Sequence, residues 1–224
     1  MDSNFNSLYD SNYYNNGVAT GKSCYENYRW IPELTYPLAF SILRHLGLEN
    51  CKSVLDYGCA HGFIVKALNG FGIDAYGVDV SEYAISAAPQ DIQDRLFKIG
   101  NTQSVSSVVN EYIDVKYFDY VIAKDVFEHI RPSDLEKLLV ELSGLAKNLF
   151  VVVPLGDQGR YRIAAYHRDI THIVAENENW WTDIFKKNGW LVEEFLHEVR
   201  GIKENWTKAN QTGNGFFKLK SIQN

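Results

Sequence analysis

Val54-Leu55-Asp56-Tyr57-Gly58-Cys59-Ala60-His61-Gly62 reads as a short buried strand running straight into a glycine-bearing turn. Behind it, Phe63, Ile64, Ala67 and Leu68 lie on one face of a helical pattern. A strand, a tight turn and a helix start make a cradle for a nucleotide-type ligand. Glycines let backbone approach closely, and the first helical N–H groups lack intrahelical partners. A second short strand follows, Ala75-Tyr76-Gly77-Val78-Asp79. Its terminal carboxylate is placed to accept hydrogen bonds from both hydroxyls of an adenosine ribose.

Composition narrows the alternatives. A chain of 224 residues with 46% hydrophobic content can bury one substantial core. A single domain over 1–224 is expected, with an irregular, lid-like segment at 1–33 and a core over 34–224. The formal net charge of -6 argues against a broad nucleic-acid footprint, which needs clustered Lys and Arg. Cys24, Cys51 and Cys59 show no metal spacing and no even-numbered framework, which fits a reducing compartment. The polar, Asn- and Tyr-rich start does not read as a signal peptide, and no apolar run approaches the roughly 20 residues of a membrane span. A cytoplasmic protein without a membrane or nucleic-acid partner is expected.

The run V-L-D-Y-G-C-A-H-G followed by Y-G-V-D-V-S resembles the first two motifs of class I S-adenosylmethionine-dependent methyltransferases. Nicotinamide-dependent dehydrogenases usually carry G-x-G-x-x-G and lack an acid two residues before the first glycine, where this chain has Asp56. In the resembled family that acid lies near the methionine end of the cofactor. One departure is Ala60, where many members have glycine. The resemblance implies S-adenosylmethionine as cofactor, held by Asp56, Tyr57, Gly58, Cys59, Ala60, Gly62, Asp79 and Val80. It adds Asn101 and Thr102 after the third strand, for the adenine, and Lys124. Lys124-Asp125-Val126-Phe127-Glu128-His129-Ile130 is similar to the family's fourth-strand motif, with Asp125 lining the acceptor side. A Y-D-x-x-Y-Y segment before the core, here Tyr9 to Tyr14, is common in bacterial glycan-associated methyltransferases. Tyr13 and Tyr14 are therefore expected to cover cofactor or substrate.

Between these motifs the chain alternates strands and helices. Helices are expected at 35–46, 62–69 and 82–88, and strands at 53–56, 73–78, 95–99, 118–123 and 149–153. A helix from Pro132, with Ser133 and Glu136 as a capping box, carries Leu135, Leu138, Leu139, Leu142 and Leu145. Trp180, Trp181, Ile184 and Phe185 belong to a further helix. Two last strands, 190–199 and 215–220, lack a helical crossover and should pair antiparallel. The expected fold class is α/β: a Rossmann-like, mostly parallel seven-stranded sheet with an antiparallel C-terminal hairpin, flanked by helices on both faces.

Methyl transfer from a sulfonium mainly needs alignment, and an alcohol acceptor must also lose a proton. Ligands of open α/β sheets bind outside the carboxyl ends of the strands, which directs attention to the loops after the fourth and fifth strands. There His167 and Asp169 could act as base and orienting carboxylate, and His172 as a second base or a donor to the substrate. Asp169-Ile170-Thr171-His172, with Trp180-Trp181 beyond, resembles a D-x-T-H segment of glycan-associated methyltransferases. A loop held together by Asp–His hydrogen bonds is the other reading. His129, next to Glu128, is a further candidate base, or a helix cap; some O-methyltransferases use this neighbourhood for a base or metal. No ligand spacing supports a metal among His167, Asp169 and His172, so none is expected. Arg160, Arg162 and Arg168 could read phosphate or carboxylate on the acceptor.

These features favour methyl transfer to a small molecule or sugar. Oxygen is the expected acceptor atom, on a nucleotide-linked or phosphorylated sugar. The alternatives are a non-catalytic protein that keeps the cofactor fold, and methylation of a metabolite nitrogen.

Overall fold

The computed structural model describes residues 8–51, 53–100 and 103–223. Strands follow the order β3-β2-β1-β4-β5-β9-β8 in one sheet flanked by helices, the arrangement expected from sequence. The chain falls into two compact units, Met1–Lys116 and Tyr117–Asn224.

The first unit starts with two short helices, α1 (Ser11–Asn15) and α2 (Gly17–Thr20), where sequence suggested an irregular, lid-like segment. Asp10 caps α1 by accepting from the Tyr13 N–H at 2.9 Å. Helix α3 (Pro32–Leu46) begins a turn earlier than expected, because Pro32 suits the first helical turn, where no amide donor is needed. Its buried face is Ala39, Ile42, Leu43 and Leu46, and Gly47 ends it at φ +66°. Strand β1 (Ser53–Tyr57) pairs in parallel with β2 (Asp74–Asp79), and β2 with β3 (Leu96–Lys98). Helix α4 (Phe63–Gly70) links β1 to β2 and buries Val65, Ala67 and Leu68. Ser81 caps α5 (Glu82–Ser86), accepting from the Ala84 N–H at 3.0 Å. Helix α6 (Val105–Tyr112) was not anticipated. Its Val105, Val108 and Val109 face is only two turns long, with Ser104 as cap.

Gly62 fixes the entry to α4. Its backbone sits at φ +70°, and an added Cβ would lie 2.5 Å from Leu96 Cδ1 and 2.9 Å from Ile92 Cδ1. Gly62→Ala therefore combines a left-handed backbone penalty with overpacking, and should cost about 2–4 kcal/mol in urea unfolding. Gly62→Ala with Leu96→Ala should recover part of the overpacking share only. An unchanged unfolding midpoint in the single variant would contradict this account of the turn.

In the second unit β4 (Phe118–Lys124) leads to α7 (Pro132–Leu145), which buries all five of the expected leucines. The capping box does not form. Pro132 takes the first helical position, Arg131 stands at the cap without a side-chain bond, and Ser133 lies inside the helix. Arg131 Nε instead donates to Asp134 at 3.1 Å. Strand β5 (Ala146–Pro154) pairs in parallel with β4 and is longer than expected at both ends. The polar loop that follows is partly a hairpin, β6 (Gly156–Asp157) and β7 (Arg160–Tyr161). Gln158 at φ +50° and Gly159 at φ +77° make its tight turn. Helix α8 (Glu178–Lys187) is capped by Asn177 and buries Trp181, Ile184 and Phe185. Strands β8 (Trp190–Leu196) and β9 (Asn214–Ser221) form the expected antiparallel pair, and β9 runs antiparallel to β5. Between them lies α9 (Glu204–Ala209), a short polar helix that sequence did not suggest. Among the described residues no helix is long and apolar enough to cross a membrane.

Candidate functional site

The turn after β1 is built from backbone. Gly58 (φ +77°), Ala60 (φ +49°) and Gly62 (φ +70°) are all left-handed. At Ala60 the chain thus keeps a conformation that favours glycine, the residue the sequence comparison led one to expect. Amides of Gly58 and Cys59 donate to the Val78 carbonyl at 2.8 and 3.1 Å, stitching the turn to the end of β2. The Ala60 N–H donates to Asp79 Oδ2 at 2.8 Å and the Ser81 N–H to Oδ1 at 2.7 Å. Asp79 is thereby fixed at the tip of β2. Burial raises its pKa, and these N–H bonds oppose the rise. The Val80 amide adds to these bonds, and a carboxylate with its roughly four acceptor sites still has capacity for a hydroxyl donor. Asp56 is buried near the end of β1, opposite Gly77, and Cys59 is buried in the turn, its thiol pushed up by burial and by both acids. Tyr57 and Val80 are half-buried beside them. Asn101 and Thr102 lie outside the described residues.

The N-terminal segment packs on this turn. Ser81 Oγ donates to the Tyr9 carbonyl at 2.6 Å, and Asn15 Nδ2 to Tyr83 Oη at 2.6 Å. Tyr13 and Tyr14 are buried, and Tyr14 meets the His61 ring edge-on at 4.9 Å. His61, in the middle of the motif, was passed over as a site residue in the sequence. It is buried among Tyr14, Tyr28, Phe63 and Tyr83, and its Nδ1 has no hydrogen-bond partner among the described residues. A buried orphan nitrogen beside a carboxylate-tipped glycine turn fits a polar ligand held here.

Burial lowers His61 to about 4. Unfolded, it titrates near 6.5, so between those values only the unfolded chain takes the proton. Its contribution is fully present above about pH 6.5 and is lost as pH falls toward 4, by about 2 kcal/mol after allowing for solvent near the ring. Urea unfolding near pH 7 and near pH 4.5 should show a gap that shrinks by that amount in His61→Phe. An identical gap in both proteins would contradict it.

The second cluster follows β4. Asp125 sits at φ +57° immediately after the strand. Its carboxylate accepts from Lys124 Nζ at 2.6 Å and also from Lys203 Nζ. Burial alone would raise its pKa, but the two ammonium groups outweigh burial and hold it well below the carboxylate range. Lys203 also lies over the Tyr166 ring, 4.7 Å from its centre. It precedes α9 in a left-handed backbone conformation, and nothing in its local sequence marks it as buried.

Glu128 and His129 form a single turn after β4, and both are buried. The Glu128 carbonyl accepts from the amides of Ile173 and Val174 at 2.9 and 3.0 Å, which draws the 169–174 segment onto this turn. His172 Nε2 then lies 3.9 Å from Glu128 Oε1, and the rings of His129 and His172 meet at 4.6 Å. Thr171 Oγ1 donates to Asp169 Oδ1 at 2.5 Å, and its lone pair faces His129 Nδ1 at 2.8 Å. The proton of His129 therefore sits on Nδ1, with the basic lone pair on Nε2. His172 Nδ1 donates to the Tyr166 carbonyl at 2.8 Å, which fixes the same tautomer. Burial lowers both imidazoles, His129 to about 4, so they are neutral near pH 7. Burial and Asp125 push the Glu128 carboxyl well above its usual range.

One expectation fails here. His167 and Asp169 do not form a base–carboxylate pair. His167 is exposed and its Nε2 accepts from the Tyr161 N–H at 3.1 Å, while Asp169 acts through Thr171 on His129. Of the three arginines, Arg162 is spent on Asp157, Glu178 and the Thr212 carbonyl, at 2.8 to 3.0 Å, while Arg160 and Arg168 are exposed.

Residues 32–211 match the family model described as "Methyltransferase domain". The chain belongs to that family. S-adenosylmethionine is the cosubstrate of this methyltransferase. A search of curated proteins finds no match. Among solved structures, the methyltransferase is similar in fold to a SAM-dependent methyltransferase from Archaeoglobus fulgidus, at 20% identity and TM-score 0.59 over 85% of this chain and 97% of that one. Magnesium protoporphyrin IX methyltransferase from Synechocystis with bound SAM gives 16% identity and TM-score 0.60 over 99% and 98%. A methyltransferase from Clostridium acetobutylicum gives 15% and 0.59 over 84% and 92%.

Proposed function

We propose that this methyltransferase transfers its methyl group to a hydroxyl oxygen of a small molecule, with a sugar as the favoured class. S-adenosylmethionine supplies a methyl group already activated on a sulfonium. In this reading Asp56, the amides of the glycine turn and Asp79 hold it. The acceptor needs alignment and somewhere to give up its proton.

One observation carries the reading. At the carboxyl end of β4, two neutral imidazoles that turn Nε2 away from their Nδ1 partners lie beside Glu128, whose carboxyl oxygens have no hydrogen-bond partner among the described residues. Neutral imidazoles in that tautomer suit an acceptor that must lose an O–H proton. An amine nucleophile, already carrying a lone pair once neutral, has less need of them. Asp125 between its two lysines supplies fixed charge for orienting a polar acceptor.

Methyl-labelled S-adenosylmethionine, offered with a panel of sugars, sugar nucleotides and small alcohols, tests this. Label recovered on oxygen in one acceptor class, with S-adenosylhomocysteine released in equal amount, is expected. Label recovered on nitrogen or carbon instead would overturn it.

A further inference from the structure

The geometry points to a divalent-cation site formed by Glu128, His129 and His172, which takes an acceptor oxygen in its open position. The role for the acceptor rests on the O-methylation proposed above, whereas cation binding itself does not.

One imidazole nitrogen from each histidine and a Glu128 oxygen lie within 4.8 Å of one another. Ligand atoms at about 2.0–2.2 Å from a shared ion can be at most roughly 4 Å apart, so side-chain shifts of under about 1 Å close the set. Two imidazoles and one carboxylate are a donor set for zinc, cobalt or another first-row divalent ion, and three protein ligands leave coordination positions open.

The surroundings are those of a metal ligand set rather than of a salt-bridge network. Glu128 is 0% exposed and neither carboxyl oxygen has a hydrogen-bond partner among the described residues. As a carboxylate it would be an uncompensated buried charge, and as an acid its proton would still lack an acceptor. An ion satisfies both oxygens. Each histidine is also oriented through its other nitrogen: His129 by Thr171 and Asp169, His172 by the Tyr166 carbonyl. That carboxylate–hydroxyl–imidazole chain presents Nε2 for ligation, as outer partners of metal-bound histidines do. The nearby ammonium charges of Lys124 and Lys203 are both taken up by Asp125. Sequence spacing hid the set, because His172 is far from Glu128-His129 along the chain and reaches them through the Ile173 and Val174 amides. With the ion bound, the two Nε2 atoms are ligands rather than bases, and an acceptor hydroxyl on the ion becomes more acidic and gives its proton to solvent.

Titration of the full chain with cobalt(II) alone, followed by visible absorption, tests the site without substrate or turnover. One equivalent should bind and give d–d bands of nitrogen and oxygen coordination, displaced by zinc. Glu128→Gln and His172→Asn should each weaken cobalt binding by about 100-fold or more, while His45→Gln should leave it unchanged. Thr171→Val should weaken it by about 10-fold through the loss of His129 orientation. S-adenosylhomocysteine affinity, read on the same samples, reports whether a variant has folded. Should His172→Asn fail that check, Thr171→Val carries the test. Wild-type protein that takes up no cobalt at millimolar levels, or binding that survives in both Glu128→Gln and Thr171→Val, would overturn the proposal. Cobalt binding without any O-methylated product would leave the cation site standing and sink the acceptor reading instead.

Discussion

Asp79→Ala is expected to lower the affinity for S-adenosylmethionine by about 100-fold or more. The carboxylate accepts the Ala60 and Ser81 amides at 2.8 and 2.7 Å, which ties the glycine turn to the start of α5. On the reading proposed above, its remaining lone pairs also serve the ribose of the cofactor. Removing the carboxylate leaves two buried N–H groups unpaired and loosens the one turn segment that holds a left-handed alanine. Each charge-assisted bond is worth about 1.5–3 kcal/mol, and two lost together amount to two or more powers of ten. Asp79→Asn keeps one acceptor oxygen and should lose about 10-fold. Equilibrium dialysis with labelled cofactor decides between them. Equal affinity in wild type and Asp79→Ala would remove the ribose assignment.

Lys203→Met should destabilise the second unit by about 3 kcal/mol. Its ammonium, only 5% exposed, pairs with Asp125 and stands over the Tyr166 ring. Breaking a buried pair from one side leaves the other charge poorly compensated. Lys124 remains to hold Asp125 at 2.6 Å, which keeps the loss below that of a fully orphaned carboxylate. The contribution is specific to the pair. Asp125→Asn with Lys203→Met should cost clearly less than the sum of the single variants, with a coupling of about 1.5 kcal/mol or more. Urea unfolding of the four proteins measures that term. Additive losses would mean that Lys203 acts through packing of its stem alone.

What could be read from sequence and what could not divide along the range of the interactions. Asp56 to Gly62 and Asp79 were legible because strand, turn and helix start are local, and the acid at the next strand tip follows from a short crossover. The antiparallel pairing of the last two strands was expected for want of a helix between them; α9 does lie there, yet β8 and β9 still pair antiparallel. At the start of α7 two local rules competed, and Pro132 displaced the Ser133 cap. Helices α6 and α9 are too short for a hydrophobic stripe to stand out. Chemistry at the second cluster was half legible. His129, Asp169 and His172 were recognised as residues, yet the partner assigned to Asp169 was its neighbour in the chain. The true relay crosses to His129 through Thr171, because the Glu128 carbonyl fastens the 173–174 backbone. Buried Lys203 leaves no trace in the sequence, since a lysine's burial depends on what tertiary packing places over it.

Calorimetry of the wild-type chain with S-adenosylhomocysteine, and separately with NAD, bears most directly on the glycine turn and its two acids as an adenosyl-sulfonium cradle. One molecule of S-adenosylhomocysteine bound per chain, with no heat from NAD, is the expected result. Silence toward S-adenosylhomocysteine at millimolar levels, or saturable binding of NAD in its place, would contradict it.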